Sequence, residues 1–329
     1  MKTAVLGAGA MGTLISLVLS KRPDRRVSLW GHRAANVEDI AQGRENRRLL
    51  PGVPLPDSLL VTADIHKAVE NAECLVAAIP SAFLRSTLTD LAQHIPPSIP
   101  VVSVIKGIES STFRRPSEII LEILGPRPIA VLSGPCHAEE AARGLPANLV
   151  AASSDAVWAS RVRDEFSTDT FRVYTNRDII GVELAGALKN VMAIAAGICD
   201  GLGYGDNAKS ALITRGLVEM TRFVVDMKGD ASTLTGLAGI GDLITTCISP
   251  HGRNRHVGQR LGQGETLQAI TQSMSAVAEG VTTCGGVYAI AQSRGIDMPI
   301  ASEVYEVLFN GKPAAQSARD LMLRPAGRE

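Results

Sequence analysis

Apolar positions along this chain follow two patterns, and the change comes near residue 180. Before it, short apolar runs alternate with stretches of helical period. The runs at 3–6, 27–30, 74–79, 101–105, 129–132 and 148–152 predict strands, and 13–20 and 83–93 predict helices between them. Several runs are continuously apolar instead of alternating, as strands covered on both faces are. Such strand–helix alternation predicts an α/β fold with a parallel, doubly wound sheet. After the change, 181–199, 209–227, 253–261, 282–294 and 301–309 read as helices, and no strand is expected. The chain therefore divides into an N-terminal domain over 1–180 and an all-helical C-terminal domain over 181–329, with a ligand expected in the cleft between them.

The first domain carries chemistry at its start. Gly7-Ala8-Gly9-Ala10-Met11-Gly12 fits the G-x-G-x-x-G pattern, directly after a strand and before a helix. In such a motif the glycine at Gly7 permits a tight turn, Gly9 lets a pyrophosphate approach the backbone, and Gly12 lets helix and strand pack closely. The helix start then offers free amide hydrogens and a positive dipole end to the anion. An ordinary glycine-rich turn has no need of both neighbours, so a Rossmann-type dinucleotide site is expected. An NAD-selective site carries an Asp or Glu about 20 residues past the glycines, on the ribose hydroxyl. Here Trp30-Gly31-His32-Arg33 occupies that place, and the first acid after it is Glu38. With no carboxylate to repel a 2′-phosphate, and His32 and Arg33 able to attract it, NADP(H) is the expected cofactor, with NAD(H) also accepted. The bland alternative makes His32 and Arg33 solvated loop residues.

Composition narrows the partners to small molecules. Lys plus Arg and Asp plus Glu number 33 each, so no net charge draws the chain to nucleic acid or a membrane surface. Aromatics at 4% also argue against base-stacking platforms. No apolar stretch approaches the ~20 residues that a membrane-spanning helix needs. Cys74, Cys136, Cys199, Cys247 and Cys284 are scattered, with no C-x-x-C spacing, which fits a reducing compartment better than disulfides or a metal site. The N-terminus lacks signal-peptide architecture, so a cytoplasmic location is expected.

Candidate chemistry in the second half centres on Lys189. On a helix its face-sharing neighbours are Ala185, Gly186, Met192 and Ala193, none acidic. A poorly solvated ammonium is a more ready proton donor, because desolvation disfavours the charged form. Such a lysine can protonate a developing alkoxide and take the proton back in reverse. The competing reading is a lysine whose head reaches water past a packed stem. Lys106 follows the strand at 101–105, where residues face the ligand crevice of an open sheet, or stands as a solvated loop lysine. The loop Ser133-Gly134-Pro135-Cys136-His137-Ala138 follows the next strand, with Glu139 and Glu140 starting a helix. Asp242, after Gly239 and Gly241, reads either as an N-cap or as a carboxylate that orients Lys189. Gly252-Arg253-Asn254-Arg255 opens a helix and can receive a phosphate, or form a solvated basic loop.

Taken in order, Gly7 to Gly12, Lys106-Gly107-Ile108-Glu109, Ser133-Gly134-Pro135, the segments 183–190, 207–217 and 237–242, and Arg253-Asn254-Arg255 resemble the bacterial-type NAD(P)-dependent glycerol-3-phosphate dehydrogenases. Ala278-Glu279-Gly280 and Met298-Pro299-Ile300 extend the likeness over nearly the whole chain. The resemblance implies a Rossmann domain with a helical domain, a homodimer, and interconversion of dihydroxyacetone phosphate and glycerol 3-phosphate for the phospholipid backbone. It implies Lys189 as proton donor and acceptor, aided by Lys106 and Asp242. It places Lys106, Gly134, Cys136, Asp242, Gly252, Arg253 and Asn254 at the substrate, with Asn190 and Thr246 lining the pocket. It places Ala10, Met11, His32, Lys106, Ala138, Arg253, Val277 and Glu279 at the cofactor. Three positions depart from the family pattern: Met11 where an aromatic is common, Cys136 for Ser or Thr, and Gly252 for Ser. Two rivals stay open. One is another lysine-dependent Rossmann dehydrogenase acting on a hydroxy acid or sugar-acid phosphate; the other is a non-catalytic NADPH-sensing module.

Overall fold

The fold, obtained as a computed structural model, is described for residues 1–274 and 278–325. Val277, expected at the cofactor, lies outside the described residues. Two compact units emerge: Met1–Lys106 with Arg114–Val182, and Gly107–Phe113 with the chain from Glu183 on.

The first unit is an eight-stranded sheet. Its strands are β1 (Lys2–Leu6), β2 (Arg26–Trp30), β3 (Leu60–Thr62), β4 (Cys74–Ala77), β5 (Val101–Ser103), β6 (Ile129–Ser133), β7 (Ala147–Ala152) and β8 (Phe171–Asn176). They lie in the order β3-β2-β1-β4-β5-β6-β7-β8. The strand order reverses beside β1, where chain direction puts the ligand crevice of a doubly wound sheet. Seven helices accompany it: α1 (Ala10–Ser20), α2 (Ala34–Gly43), α3 (Ile65–Val69), α4 (Ser81–Leu91), α5 (Pro116–Leu124), α6 (Ala138–Ala141) and α7 (Ala156–Phe166). The continuous apolar runs have a clear cause. Val5, Leu29, Val76 and Val102 join a core on one face of the sheet with Leu14 and Ile15 of α1. Ala4, Leu6, Leu75, Ala77 and Val101 join another with Leu84 and Leu88 of α4. Past the first residues of β1 and β2, Lys2 and Arg26, the residues of these strands are buried on both faces.

Two details correct the sequence expectation. The sheet is not wholly parallel, because β7 runs antiparallel to β6. The link between them holds only the four-residue α6, and a single turn of helix gives no crossover layer to carry the chain back. Neither edge strand, β3 nor β8, was expected. In β8, Phe171 and Val173 are buried while Arg172 and Tyr174 are exposed, the period-two pattern of a strand wet on one face.

All described elements after β8 are helical: α8 (Ile179–Gly201), α9 (Asp206–Asp226), α10 (Ala231–Leu234), a π-turn at Leu237–Gly241, α11 (Asp242–Ile248), α12 (Arg253–Gly262), α13 (Leu267–Ser273), α14 (Glu279–Arg294), α15 (Pro299–Phe309) and α16 (Ala314–Met322). Against expectation, α8 is 23 residues long and enough in length and composition to cross a membrane, yet its most apolar stretch, with a mean hydropathy of 1.6, is 89% buried within the fold. It is the core helix of its unit. Its contact with α12 is backbone to backbone. A methyl added at Gly197 would lie 2.0 Å from the carbonyl oxygen of Arg255, and one at Gly258 would lie 1.9 Å from that of Ile194. Gly201 and Gly262 continue the seam. On α9, the buried Glu219 accepts backbone hydrogen bonds from Ile300 (2.8 Å) and Ala301 (3.2 Å) at the start of α15. Burial nevertheless pushes its carboxyl up to about 7.

Candidate active site

The glycine turn of the first unit is built as its motif requires. Gly7 has φ +120°, and a Cβ there would strike the carbonyl of Ala78. A Cβ at Gly12 would sit 1.9 Å from the Gly7 carbonyl oxygen, while one at Gly9 would meet nothing within 4 Å. The turn is closed behind Gly7 and Gly12 and open in front of Gly9, which suits a pyrophosphate lying on the backbone. Ala10 and Met11 begin α1, whose N-cap Gly9 supplies no side-chain bond, so the helix start is presented bare. At the end of β2, His32 and Arg33 are exposed. His32 leans edge-on to Trp30, with ring centroids 6.2 Å apart. The nearby acid Glu38 is engaged by the side-chain amide of Gln42 at 3.0 Å.

Asn46 was missed by sequence reasoning. It is buried, and its side-chain amide donates to the carbonyl of Ala8 (3.1 Å) and to Thr13 Oγ1 (2.9 Å). Asn46 thus ties the glycine turn to the first turn of α1 from a distance of more than thirty residues, beyond the reach of any local motif.

Lys106 and Gly134 come together. Lys106 Nζ donates to the Gly134 carbonyl at 3.0 Å. Gly134 itself has φ +138°, and a Cβ there would press on β7 at 3.0 Å from Asn148 O, so only glycine fits this turn. Cys136 is half-buried, and Ala138 opens α6 with Glu139 and Glu140 in its first turn, as expected.

In the second unit the lysine of α8 does not reach water. Lys189 is 6% exposed. Its Nζ lies 2.5 Å from Asp242 Oδ1 and 2.6 Å from Thr246 Oγ1, both on α11. The carboxylate that its own face of α8 lacks arrives from 53 residues away. Asp242, 1% exposed, does not cap α11. Gly241 holds the cap position and continues the π-turn, and the Asp242 side chain is turned to the amine instead. Burial alone would disfavour the ammonium, and the carboxylate opposes that by supplying a counter-charge in low dielectric. Met192, on the Lys189 face of α8, packs against Gly216 of α9. The thiol of Cys247, on α11 with Asp242 and Thr246, is pushed up to about 12 by burial.

Gly252 caps α12 with backbone only, in extended conformation, and Arg253 and Asn254 form the first turn. Asn254 Oδ1 accepts the amide hydrogen of Gly280 at 2.9 Å, at the start of α14, next to Glu279. A Cβ on Gly280 would be 2.7 Å from the carbonyl oxygen of Asn190, so Asn190, Asn254 and Gly280 meet at one point. The structure therefore joins Lys189, Asp242 and Thr246 in one cluster, and Asn190, Asn254 and Glu279's helix in another. Among the described residues no group of three or more His, Cys, Asp or Glu side chains could hold a metal ion.

Comparison with known proteins identifies the family. The description "NAD-dependent glycerol-3-phosphate dehydrogenase N-terminus" matches residues 2–159, and the corresponding C-terminus matches residues 178–319. The chain is 49% identical over 332 residues to the glycerol-3-phosphate dehydrogenase [NAD(P)+] of Chlorobium limicola, covering 100% of this chain and 99% of that one. It is 47% identical to the enzyme of the same name from Thiobacillus denitrificans, covering 98% of each. The crystal structure of glycerol-3-phosphate dehydrogenase from Coxiella burnetii superposes with a TM-score of 0.94 at 36% identity, over 98% of this chain and 99% of that one. With both halves of the family description matched in order and full-length relatives near half identity, the chain belongs to the NAD-dependent glycerol-3-phosphate dehydrogenase family.

Proposed function

We propose that this chain interconverts dihydroxyacetone phosphate and sn-glycerol 3-phosphate with NAD(P)(H), providing the glycerophospholipid backbone. The observation that carries the reading is the buried Lys189 amine, held at 2.5 Å from Asp242 and 2.6 Å from Thr246 on a helix of small apolar residues. When bound, the nicotinamide supplies or accepts the hydride. Lys189 gives a proton to the substrate oxygen as charge develops there, and takes it back in the reverse direction. Asp242 and Thr246 fix the amine's position, so little reorganisation is needed at the moment of transfer. Arg253, Asn254 and the bare start of α12, with the Gly252 backbone, receive the phosphate. Lys106, with Gly134 and Cys136, serves substrate and cofactor from the first unit.

For the dinucleotide, Gly7, Gly9, Ala10, Met11 and Gly12 hold the pyrophosphate, and His32 and Arg33 face the 2′-phosphate. We infer a preference for NADPH, supported by the absence of a carboxylate at the end of β2. A kcat/KM for NADH well above that for NADPH would overturn it. A homodimer and a cytoplasmic location complete the reading, supported by the family's habit and by five unbridged cysteines.

Lys189→Ala is expected to lower kcat by a factor on the order of 10²–10⁴, the usual loss of a general acid, with NADPH affinity spared. Turnover near wild type in that variant would end the assignment. The second reading, a lysine-dependent dehydrogenase of a different hydroxy acid, is met by the oxidation of NADPH with dihydroxyacetone phosphate against unphosphorylated dihydroxyacetone. A strong preference for the phosphate ester supports the proposal.

A further inference from the structure

The start of α12 must stand at a fixed place relative to Lys189 if it is to grip one end of a three-carbon substrate. The glycine seam between α8 and α12 sets how near the two helices come. Each glycine of the seam sits over one carbonyl of the facing helix, but the seam lies behind the first turn of α12 and carries no side chain that reaches it. At the end of the seam stands Asp200, which does reach that turn. This carboxylate, near the C-terminus of α8, takes Arg255 Nε at 2.7 Å and Nη2 at 2.6 Å on one oxygen. Its other oxygen is ion-paired with Lys209 of α9. Arg255 also reaches the carbonyl of Ser249 at 3.5 Å, in the turn that Gly252 closes by donating to the same carbonyl at 3.3 Å. All three side chains are largely shielded, at 13%, 17% and 18% exposure for Asp200, Lys209 and Arg255.

We propose that Asp200, with Arg255 and Lys209, is a positioning unit that fixes the rotation of α12 and so aims Arg253 and Asn254 at the substrate phosphate. Arg255 follows Asn254 directly, so a planar guanidinium locked on Asp200 leaves the preceding turn one orientation. The unit also carries one positive charge in excess, two cations to one anion, which favours an approaching dianion. None of the three side chains needs to touch substrate. This inference rests on the reading of α12 as the phosphate receptor.

The test compares kcat/KM for dihydroxyacetone phosphate with that for dihydroxyacetone, in Arg253→Ala, Asp200→Asn and Arg255→Lys. Arg253→Ala examines the receptor itself: an unchanged ratio there defeats the phosphate reading. Given a fall in that variant, Asp200→Asn is expected to lower the ratio roughly ten- to a hundredfold, as misplacement of a positioned group by about an ångström does. The loss should fall on KM for the phosphate ester, with kcat within about threefold and dihydroxyacetone turnover unchanged. Arg255→Lys keeps the charge and loses the plane, so it should show the same selective loss. If both substrates lose activity equally, or if Asp200→Asn and Arg255→Lys keep the wild-type ratio, the positioning role is wrong. Should Asp200→Asn not fold, Arg255→Lys alone decides by the same ratio.

Discussion

Glu219→Gln gives a sharp measure of what the helical unit tolerates in its interior. The carboxyl is 2% exposed, and burial, partly offset by the amides of Ile300 and Ala301, lifts it to about 7 from 4.5. Asp297 adds to the rise and Arg222 opposes it. A folded-state value above the unfolded one means that the folded chain binds the proton more tightly. The stabilisation is fully present below pH ~4.5 and is lost as pH rises through about 7. At roughly 1.4 kcal/mol per unit, the ionised group weighs on the fold by about 3 kcal/mol at pH 8 and by under about 1 kcal/mol at pH 5. Glutamine keeps an acceptor for α15 and cannot ionise. Calorimetry of wild type and variant at both pH values yields a double difference in which all other titrations cancel. The variant should gain about 2–3 kcal/mol relative to wild type between pH 5 and pH 8, roughly 5–10 °C in the transition of a unit this size. A double difference below about 0.5 kcal/mol would refute the claim that Glu219 titrates as a buried acid.

Gly12→Ala should weaken NADPH binding by at least about tenfold in titration calorimetry, near 1.4 kcal/mol, since its methyl would meet the Gly7 carbonyl oxygen at 1.9 Å. Unchanged affinity would show that the turn can open without harm. Among the thiols, Cys74, Cys247 and Cys284 are pushed up to about 12 by burial and Cys199 is also raised, while Cys136 is half-buried in the loop after β6. Iodoacetamide at pH 8 should therefore mark Cys136 first by peptide mass spectrometry. Earlier labelling of Cys199 would contradict the burial argument.

Local pattern made much of this molecule readable, for reasons that also set its limits. The glycine turn is legible because strand, turn and helix are consecutive, and the central strands because both their faces are covered. Strand β8 was missed because an edge strand with Arg172 and Tyr174 outward looks polar on average. Lys189 could be singled out by the missing acid on its own helix face. Its partner could be suspected in Asp242, but the hand-off from π-turn to α11 that turns the carboxylate toward the amine is a packing result. Asn46, Glu219 and Asp200 act on residues 33 to 82 positions away, and no short window contains both ends of such a bond.

The backbone-tight seam of α8 and α12 has a kinetic meaning. On the proposed reading of the site, the amine at 189 and the turn at 253 ride on two rods packed backbone to backbone, so they would act as jaws of a fixed gauge. Ligand entry and exit would then be paced by other parts of the chain, and the gauge would select molecules by their length.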